Sequence, residues 1–241
     1  MMRVKAVITY DGSVFQGFQK QNSTNKTITT TIENALKDLH ITSPIVGSGR
    51  TDSGVHATGQ VIHFDLPEFW SDLNRLQNSL NRKLSTVYFK HISPVPDDFH
   101  ARFSAKKRIY RYVFKETRPS VFEKKYIAHY SNFDTGILKK ALLLFVGEHD
   151  FRCFHKTGSD IHTSVRSVYD AKYRRQGEYH FIYFTANGFL RSQVRMMVAS
   201  AMLCATNELS LQQLTEQING ERQHSSRLAP PQGLYLARIL Y

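Results

Sequence analysis

The sequence predicts an α+β fold built as two similar halves. Segments in which apolar and polar residues alternate, the mark of half-buried strands, are interleaved with segments whose apolar residues recur at helical spacing. The order strand, helix, strand, helix, strand precedes a Pro- and Asp-containing stretch, SPVPDDFHARFS, and a similar order follows it. The 41% apolar content of the 241 residues is that of a chain with a packed core. The halves are therefore expected at residues 1–103 and 104–241, with sheets covered by helices on one face and a cleft between them.

The elements follow in order. RVKAVITYDG alternates and ends at Asp11-Gly12, a strand running into a turn. Ile28, Ile32, Ala35, Leu36 and Leu39 repeat at helical spacing, with Thr30 and Glu33 placed for a capping box. A Gly-rich segment comes next and ends in a strand, QVIHFD. Ser71 is placed to cap a helix through Leu73, Leu76, Leu80 and Leu84, and the strand STVYFKHISPV follows. In the second half, RIYRYVFKE reads as a strand, and Asp134 opens a helix carrying Ile137, Leu138, Ala141, Leu142 and Phe145. SVYDAKYRR and EYHFIYFTA flank Gln176-Gly177 as a hairpin. Leu190, Val194, Met197, Val198 and Ala201 mark one face of a helix, a short helix spans Ser210 to about Asn219, and GLYLARILY closes the chain as a strand.

Charge narrows the function. The formal net charge is +12, and the basic residues recur along the chain, at Lys106, Lys107, Arg108 and Arg111, then Lys124 and Lys125, then Arg174 and Arg175. Aromatic residues interleave with them, as in KKRIYRYVF. Each cluster alone reads as a solvated strand face with aromatic core partners; together they point to a polyanionic, nucleic-acid partner. No stretch approaches the roughly 18 apolar residues of a membrane span, and the start MMRVKAVITYDG lacks the features of a signal peptide. Cys153 and Cys204, the only cysteines, are far apart in sequence, which argues against a disulfide scaffold or zinc site and for a reducing, cytoplasmic setting.

The stretch GSGRTDSGVHATGQVIHFD, residues 47–65, sets Asp52 between an arginine and a Ser-Gly turn just before a strand. A glycoside-hydrolase pair needs a second carboxylate, and nothing in the spacing of Asp65, Asp97 or Asp98 selects one. His56, His63, His100, His149 and Asp150 show no metal-binding spacing. A P-loop's GK[ST] ending and a G-x-S-x-G elbow are both missing. The ordinary reading of Asp52 is a turn aspartate bonded to its own backbone. That reading leaves Arg50, Thr51 and the following apolar strand unexplained.

GRTDSGVHATGQVIHF resembles the signature of the TruA-type tRNA pseudouridine synthases. YDGSVFQGFQKQ precedes it, and VPDDFHARFSAKKRIYRYVF, GEHDFRCF, NGFLRSQVRMMV and APPQGLYLARILY follow in the family's order, so the resemblance covers nearly the whole chain. It implies a pseudouridine synthase fold: two α/β halves with mixed, mostly antiparallel sheets flanking a catalytic cleft. Residue by residue, it implies Asp52 as the catalytic carboxylate and Arg195 as its partner. Tyr110 would stack on the target base, Leu234 would form an apolar wall, and Arg50 would help extrude the uridine or hold the opened helix. Periodicity does not choose between Arg191 and Arg195; the resemblance does. As plain strand residues, Tyr110 and Leu234 read as core.

The implied reaction isomerises uridine to pseudouridine at tRNA positions 38–40, on the 3′ side of the anticodon arm, with no cofactor or metal. It breaks the bond from N1 to the ribose and joins C5 to the same carbon. Burial raises a carboxylate's pKa and an adjacent arginine lowers it by about 1–3 units, so the pair would keep Asp52 charged. The family also implies a homodimer with one tRNA contacting both subunits. A non-catalytic RNA chaperone and a uracil-releasing glycosylase are the rival readings. Three positions depart from the family pattern: Phe18 stands where Trp is usual, Ala199 where Gly is common, and His155 where Arg is commoner. The first bears on packing or on an RNA contact.

Overall fold

A computed structural model describes residues 1–156, 158 and 162–241. Its contacts separate into two units, Met1–Lys106 with Leu236–Tyr241, and Lys107–Tyr235. The first unit holds β1 (Met2–Tyr10), α1 (Ile28–Lys37), β2 (Val46–Gly47), β3 (His56–Leu66), α2 (Leu73–Lys83) and β4 (Val87–Pro94). The second holds β5 (Lys107–Lys115), β6 (Ala128–His129), α3 (Thr135–Leu144), β7 (Gly147–Asp150), β8 (Val165–Gln176), β9 (Tyr179–Ala186), α4 (Gln193–Ala205) and α5 (Leu211–Ile218). Strand β10 (Leu234–Leu240) begins in the second unit and ends in the first.

In the first unit β1 lies antiparallel between β3 and β4, with Ala6 opposite both Ile62 and Ile92. Its even-numbered residues Val4, Ala6, Ile8 and Tyr10 are buried and the intervening ones are not, as the alternation in RVKAVITY requires. β2 adds a short antiparallel edge to β3. The helix starts differ from the sequence expectation by a few residues. Thr27, not Thr30, caps α1, accepting the Thr30 N–H at 3.2 Å, while Glu33 turns away to accept the Ile45 N–H at 3.1 Å. Asp72, not Ser71, caps α2 through the Arg75 N–H. In each case neighbouring residues share the same capping chemistry, and the packing of the first turn selects between them.

The second unit is mixed but mostly antiparallel: β5 pairs with β9, β9 with β8 and β8 with β7, and β6 runs parallel to β5. The β8–β9 hairpin turns on Gly177-Glu178, one residue later than expected, with Gly177 at φ +61°. Asp134 caps α3 and Ser210 caps α5, the latter in a full capping box with Gln213. Helix α4 begins at Gln193, so Leu190 precedes it, and eleven of its thirteen residues are buried rather than a single face. The GEHDFRCF block is largely a packing device. Asp150 caps a 3-10 turn at Phe151–Cys153, and Phe151 and Phe154 pack edge-on to each other at 5.9 Å, with Phe145 5.5 Å from Phe154.

Residues 236–241 group with the first unit, whereas a cut at 103/104 leaves them in the second half. The hydroxyl of Tyr241 donates to the Ala101 carbonyl at 2.8 Å, Lys106 N–H donates to Leu240 O at 2.8 Å, and the Lys5 ammonium lies 5.6 Å above the Tyr241 ring. Such pairing between distant parts of the chain leaves no local mark in sequence.

His63 on β3 carries a pH dependence. Its Nδ1 accepts the Ala101 N–H at 3.1 Å, which requires the neutral ring. Burial first, then the charges of His100 and Arg3, push its pKa from 6.5 down to about 4. The unfolded chain thus binds a proton between these values that the folded chain refuses. Stability should be complete above about pH 6.5 and fall by up to about 3 kcal/mol as pH drops toward 4. Urea denaturation across this range checks it, and His63→Gln should flatten the slope.

Candidate active site

Asp52 follows the short strand β2 and precedes β3 in the first unit, half-buried between the exposed Arg50 and the buried Thr51 on one side and Ser53 on the other. Its carbonyl accepts the Val55 N–H at 3.1 Å, closing a turn in which Gly54 has φ +77°. A side chain there would be strained, so glycine sets the direction in which the chain leaves Asp52. Thr51 O accepts the Phe18 N–H at 3.0 Å, and the hydroxyls of Thr51 and Tyr10 share a buried hydrogen bond of 2.8 Å. Ser53 Oγ donates to Phe15 O at 3.2 Å.

Every anchor on this side comes from the end of β1 and the segment after it. Tyr10, Asp11-Gly12, Phe15 and Phe18 are the residues of YDGSVFQGF, and their role is to brace the Asp52 loop. A Cβ on Gly12 would run into the Val55 carbonyl, so only glycine permits this approach. Gly12 N–H donates to His56 Nδ1 at 3.0 Å, tying the same segment to the start of β3. Phe18, 5% exposed, fills the space over Gly47 and lies 6.3 Å from the Tyr10 ring. Its replacement of tryptophan is therefore a matter of packing.

The other side of the loop hangs on Gln60. Fully buried on β3, it accepts the Ser48 hydroxyl at 2.7 Å and donates to Gly49 O at 2.7 Å. Arg50, next in sequence, is exposed, and among the described residues no hydrogen bond or ion pair holds its guanidinium. The loop is thus held at its base from both sides.

Tyr110, Arg195 and Leu234 lie in the second unit. Tyr110 on β5 is opposite Phe184 of β9 and edge-on to Phe189 at 5.2 Å. At 8% exposure it offers a ligand a narrow strip of ring rather than an open face. Arg195 sits in the first turn of α4 and is half-buried. Its Nε donates to Ala229 O at 2.8 Å, and its own carbonyl accepts the Ala229 N–H at 3.0 Å. Arg191, by contrast, lies exposed ahead of the helix. Ser192 between them takes a left-handed φ of +60°, and Gln193 closes the turn by accepting the Leu190 N–H at 2.7 Å. A non-glycine residue in that region costs roughly 1–2 kcal/mol, which the buried Gln193 bond helps offset. Leu234, 4% exposed, starts β10 after the Pro231–Gly233 turn.

Tyr112 was not singled out in the sequence, yet it joins these parts. It shares a strand face with Tyr110, donates to Pro230 O at 3.1 Å, and feels the charge of Arg195. Burial raises its pKa well above the usual tyrosine value despite that charge, and raises Tyr130 to about 12. Both phenols stay neutral, so neither cancels the guanidinium. The signal available in sequence was its i+2 spacing from Tyr110. Among the described residues His155 Nδ1 meets the neighbouring Lys156 carbonyl, and Ala199 is buried beside Tyr130 and Met202 along a small cavity of about 140 Å³. Among the described residues no three His, Cys, Asp or Glu side chains gather as metal ligands.

A family model described as tRNA pseudouridine synthase matches residues 6–104 and 141–241. The chain belongs to the tRNA pseudouridine synthase family. Relatives carrying the name tRNA pseudouridine synthase A align along its length. One from Campylobacter jejuni is 38% identical over 242 residues and one from Helicobacter hepaticus 40% over 247, each alignment covering both chains completely. One from Lactococcus lactis is 38% identical over 250 residues, covering all of this chain and 98% of its own. Arg50, Asp52, Arg195 and Leu234 fall inside the residues that match the tRNA pseudouridine synthase model, and Tyr110 falls between the two matched segments.

Tyr10→Phe tests the brace. Thr51 would lose its buried hydroxyl partner, which should cost about 1–2 kcal/mol in urea denaturation. The loosened loop should also lower kcat severalfold in steady-state kinetics.

Proposed function

We propose that Asp52 is the reacting carboxylate of a tRNA uridine isomerase that acts on the 3′ side of the anticodon arm, at positions 38–40. The chain converts uridine to pseudouridine in tRNA, as its family membership establishes. In that reaction the N1–C1′ bond breaks, a C5–C1′ bond forms, the C5 proton leaves and N1 gains one, so no redox partner is required. The observation that carries the assignment is the construction of the loop. A half-exposed carboxylate is held by a Gly54 turn and by buried hydrogen bonds on its flanks, which is how a reacting group is kept in position without being covered.

In this reading Arg195 pairs with Asp52 and keeps it ionised. The hold of Ala229 on Nε supports it, since that bond limits the directions left to the terminal amino groups. Attack on the ribose, addition to the uracil ring and removal of a ribose proton all start from the same anion. The extruded base stacks on Tyr110 and Leu234 closes an apolar wall, the base leaving its helix at a cost of a few kcal/mol. Arg50, exposed and unheld, suits a contact with the opened RNA strand. The resemblance also supports a cytoplasmic homodimer with one tRNA contacting both subunits; no helix among the described residues is long and apolar enough to cross a membrane.

Tritium release from tRNA carrying C5-tritiated uridine tests the proposal. Asp52→Asn should abolish release while leaving tRNA binding within about twofold. Full turnover by that variant would refute the assignment, and abasic sites in the tRNA would indicate a glycosylase. Arg195→Ala should lose activity at least a hundredfold. It should also lose about 1–3 kcal/mol of stability, because the charge-assisted bond to Ala229 disappears. An active and equally stable Arg195→Ala protein would show that the pairing is wrong.

A further inference from the structure

Residues 117–126 join β5 to β6 in the second unit, outside the two segments that match the family model. Within them Ser120-Val121-Phe122-Glu123 has the S-x-x-E pattern of a capping box. The Glu123 carboxylate accepts the Ser120 N–H at 3.0 Å, and Ser120 O accepts the N–H groups of Glu123 and Lys124 at 3.1 and 2.9 Å. Glu123 O in turn accepts from Tyr126 and Ile127 at 2.7 and 3.0 Å. The carboxylate is also fastened to the sheet. It accepts the Tyr179 hydroxyl at 2.8 Å and lies 3.3 Å from the buried Lys115 ammonium.

The outcome is a pinned turn whose first two side chains stand in water. Val121 is 68% exposed and Phe122 is 86% exposed. The Glu123 bonds fix the backbone from which the Phe122 ring projects. Arg118, Lys124 and Lys125 around it are exposed. Of the acids nearby, Glu123 is held against the sheet, Glu178 lies 2.9 Å from Lys115, and Glu116, 3.3 Å from His180, is half exposed.

We propose that Phe122 is a stacking platform for an unpaired base of the tRNA substrate, with Arg118, Lys124 and Lys125 on the flanking phosphates. A flat apolar face beside several cations is what single-stranded nucleic acid requires, because every base has a face to stack and every linkage a charge. The inference rests on the reading that the chain acts on tRNA, and it adds a contact remote in sequence from the Asp52 loop.

The test compares Phe122→Ala, Phe122→Leu and Phe122→Trp in the tritium-release assay and in filter binding of unmodified tRNA. Phe122→Ala should raise KM and Kd about tenfold with kcat unchanged, the loss expected of one stacked base. Phe122→Trp should restore both and Phe122→Leu should not, because leucine keeps apolar bulk without a ring face. Unchanged KM and Kd in Phe122→Ala, or leucine serving as well as tryptophan, would overturn the proposal. So would a shift in sedimentation showing that the substitution acts through association of the protein. Filter binding does not depend on Asp52, so a failure here is separable from a failure of the Asp52→Asn test. Wild-type protein that binds no tRNA would sink the underlying reading instead.

Discussion

On the proposal that Asp52 reacts with the RNA, its carboxylate has to be fixed at its base and open at its tip. The hydrogen bond between Tyr10 and Thr51 and the turn from Asp52 to Val55 impose that condition on the first unit. Much of the unit's fold follows from it. The end of β1 must reach the loop before β3, so the segment after β1 curls over Gly12 and delivers Phe15 and Phe18 to the backbone on either side of Asp52. β1 can do this only because its register between β3 and β4 is fixed by the buried row Val4, Ala6, Ile8 and Tyr10. A slip of one residue would turn the Tyr10 hydroxyl away from Thr51.

The second unit solves a different problem, that of fixing the direction of a positive charge. Arg195 Nε is held by the Ala229 carbonyl, which sets its direction and leaves the charge intact. The nearest phenols are those of Tyr112 and Tyr130, and burial keeps both protonated. The left-handed Ser192 belongs to the same design: it bends the chain so that α4 starts with Arg195 in its first turn.

Much of this was legible in sequence, and the rest was hidden for identifiable reasons. Alternation marked β1 and β9 because each has one buried row, and Ser210 marked its helix because it stands alone as a capping residue with Gln213 placed for a capping box. Thr27 against Thr30, and Asp72 against Ser71, were not separable, because both members of each pair can cap and the choice lies with contacts such as Glu33 to Ile45. Helix α4 shows the limit of periodicity. A helix buried on nearly all sides has no polar face to set its phase, so pattern could not choose between Arg191 and Arg195. The Asp52 motif could be read because it is contiguous. Tyr112, Gln60 and the return of β10 could not, because their partners lie far along the chain and strand contacts are indifferent to sequence distance.

Charge and aromatic surface divide the work of binding in a protein like this one. The excess of 32 basic over 20 acidic residues speeds encounter and holds phosphates, but a field of that kind is smooth on the scale of a nucleotide and cannot choose one. Registration has to come from groups that act over a few ångströms, which are rings and carbonyl-steered guanidiniums. Those are the groups the fold immobilises most. Tyr110 is wedged against Phe189, Arg195 is tied to Ala229, and the Glu123 turn is fastened to the sheet on which Lys115 and Tyr179 stand. An exposed lysine such as Lys124, by contrast, stands on a long, flexible stem. That contrast follows from entropy: a phosphate contact tolerates motion because its attraction is long-ranged, whereas a stack that is not pre-set must lose its freedom at the moment of binding.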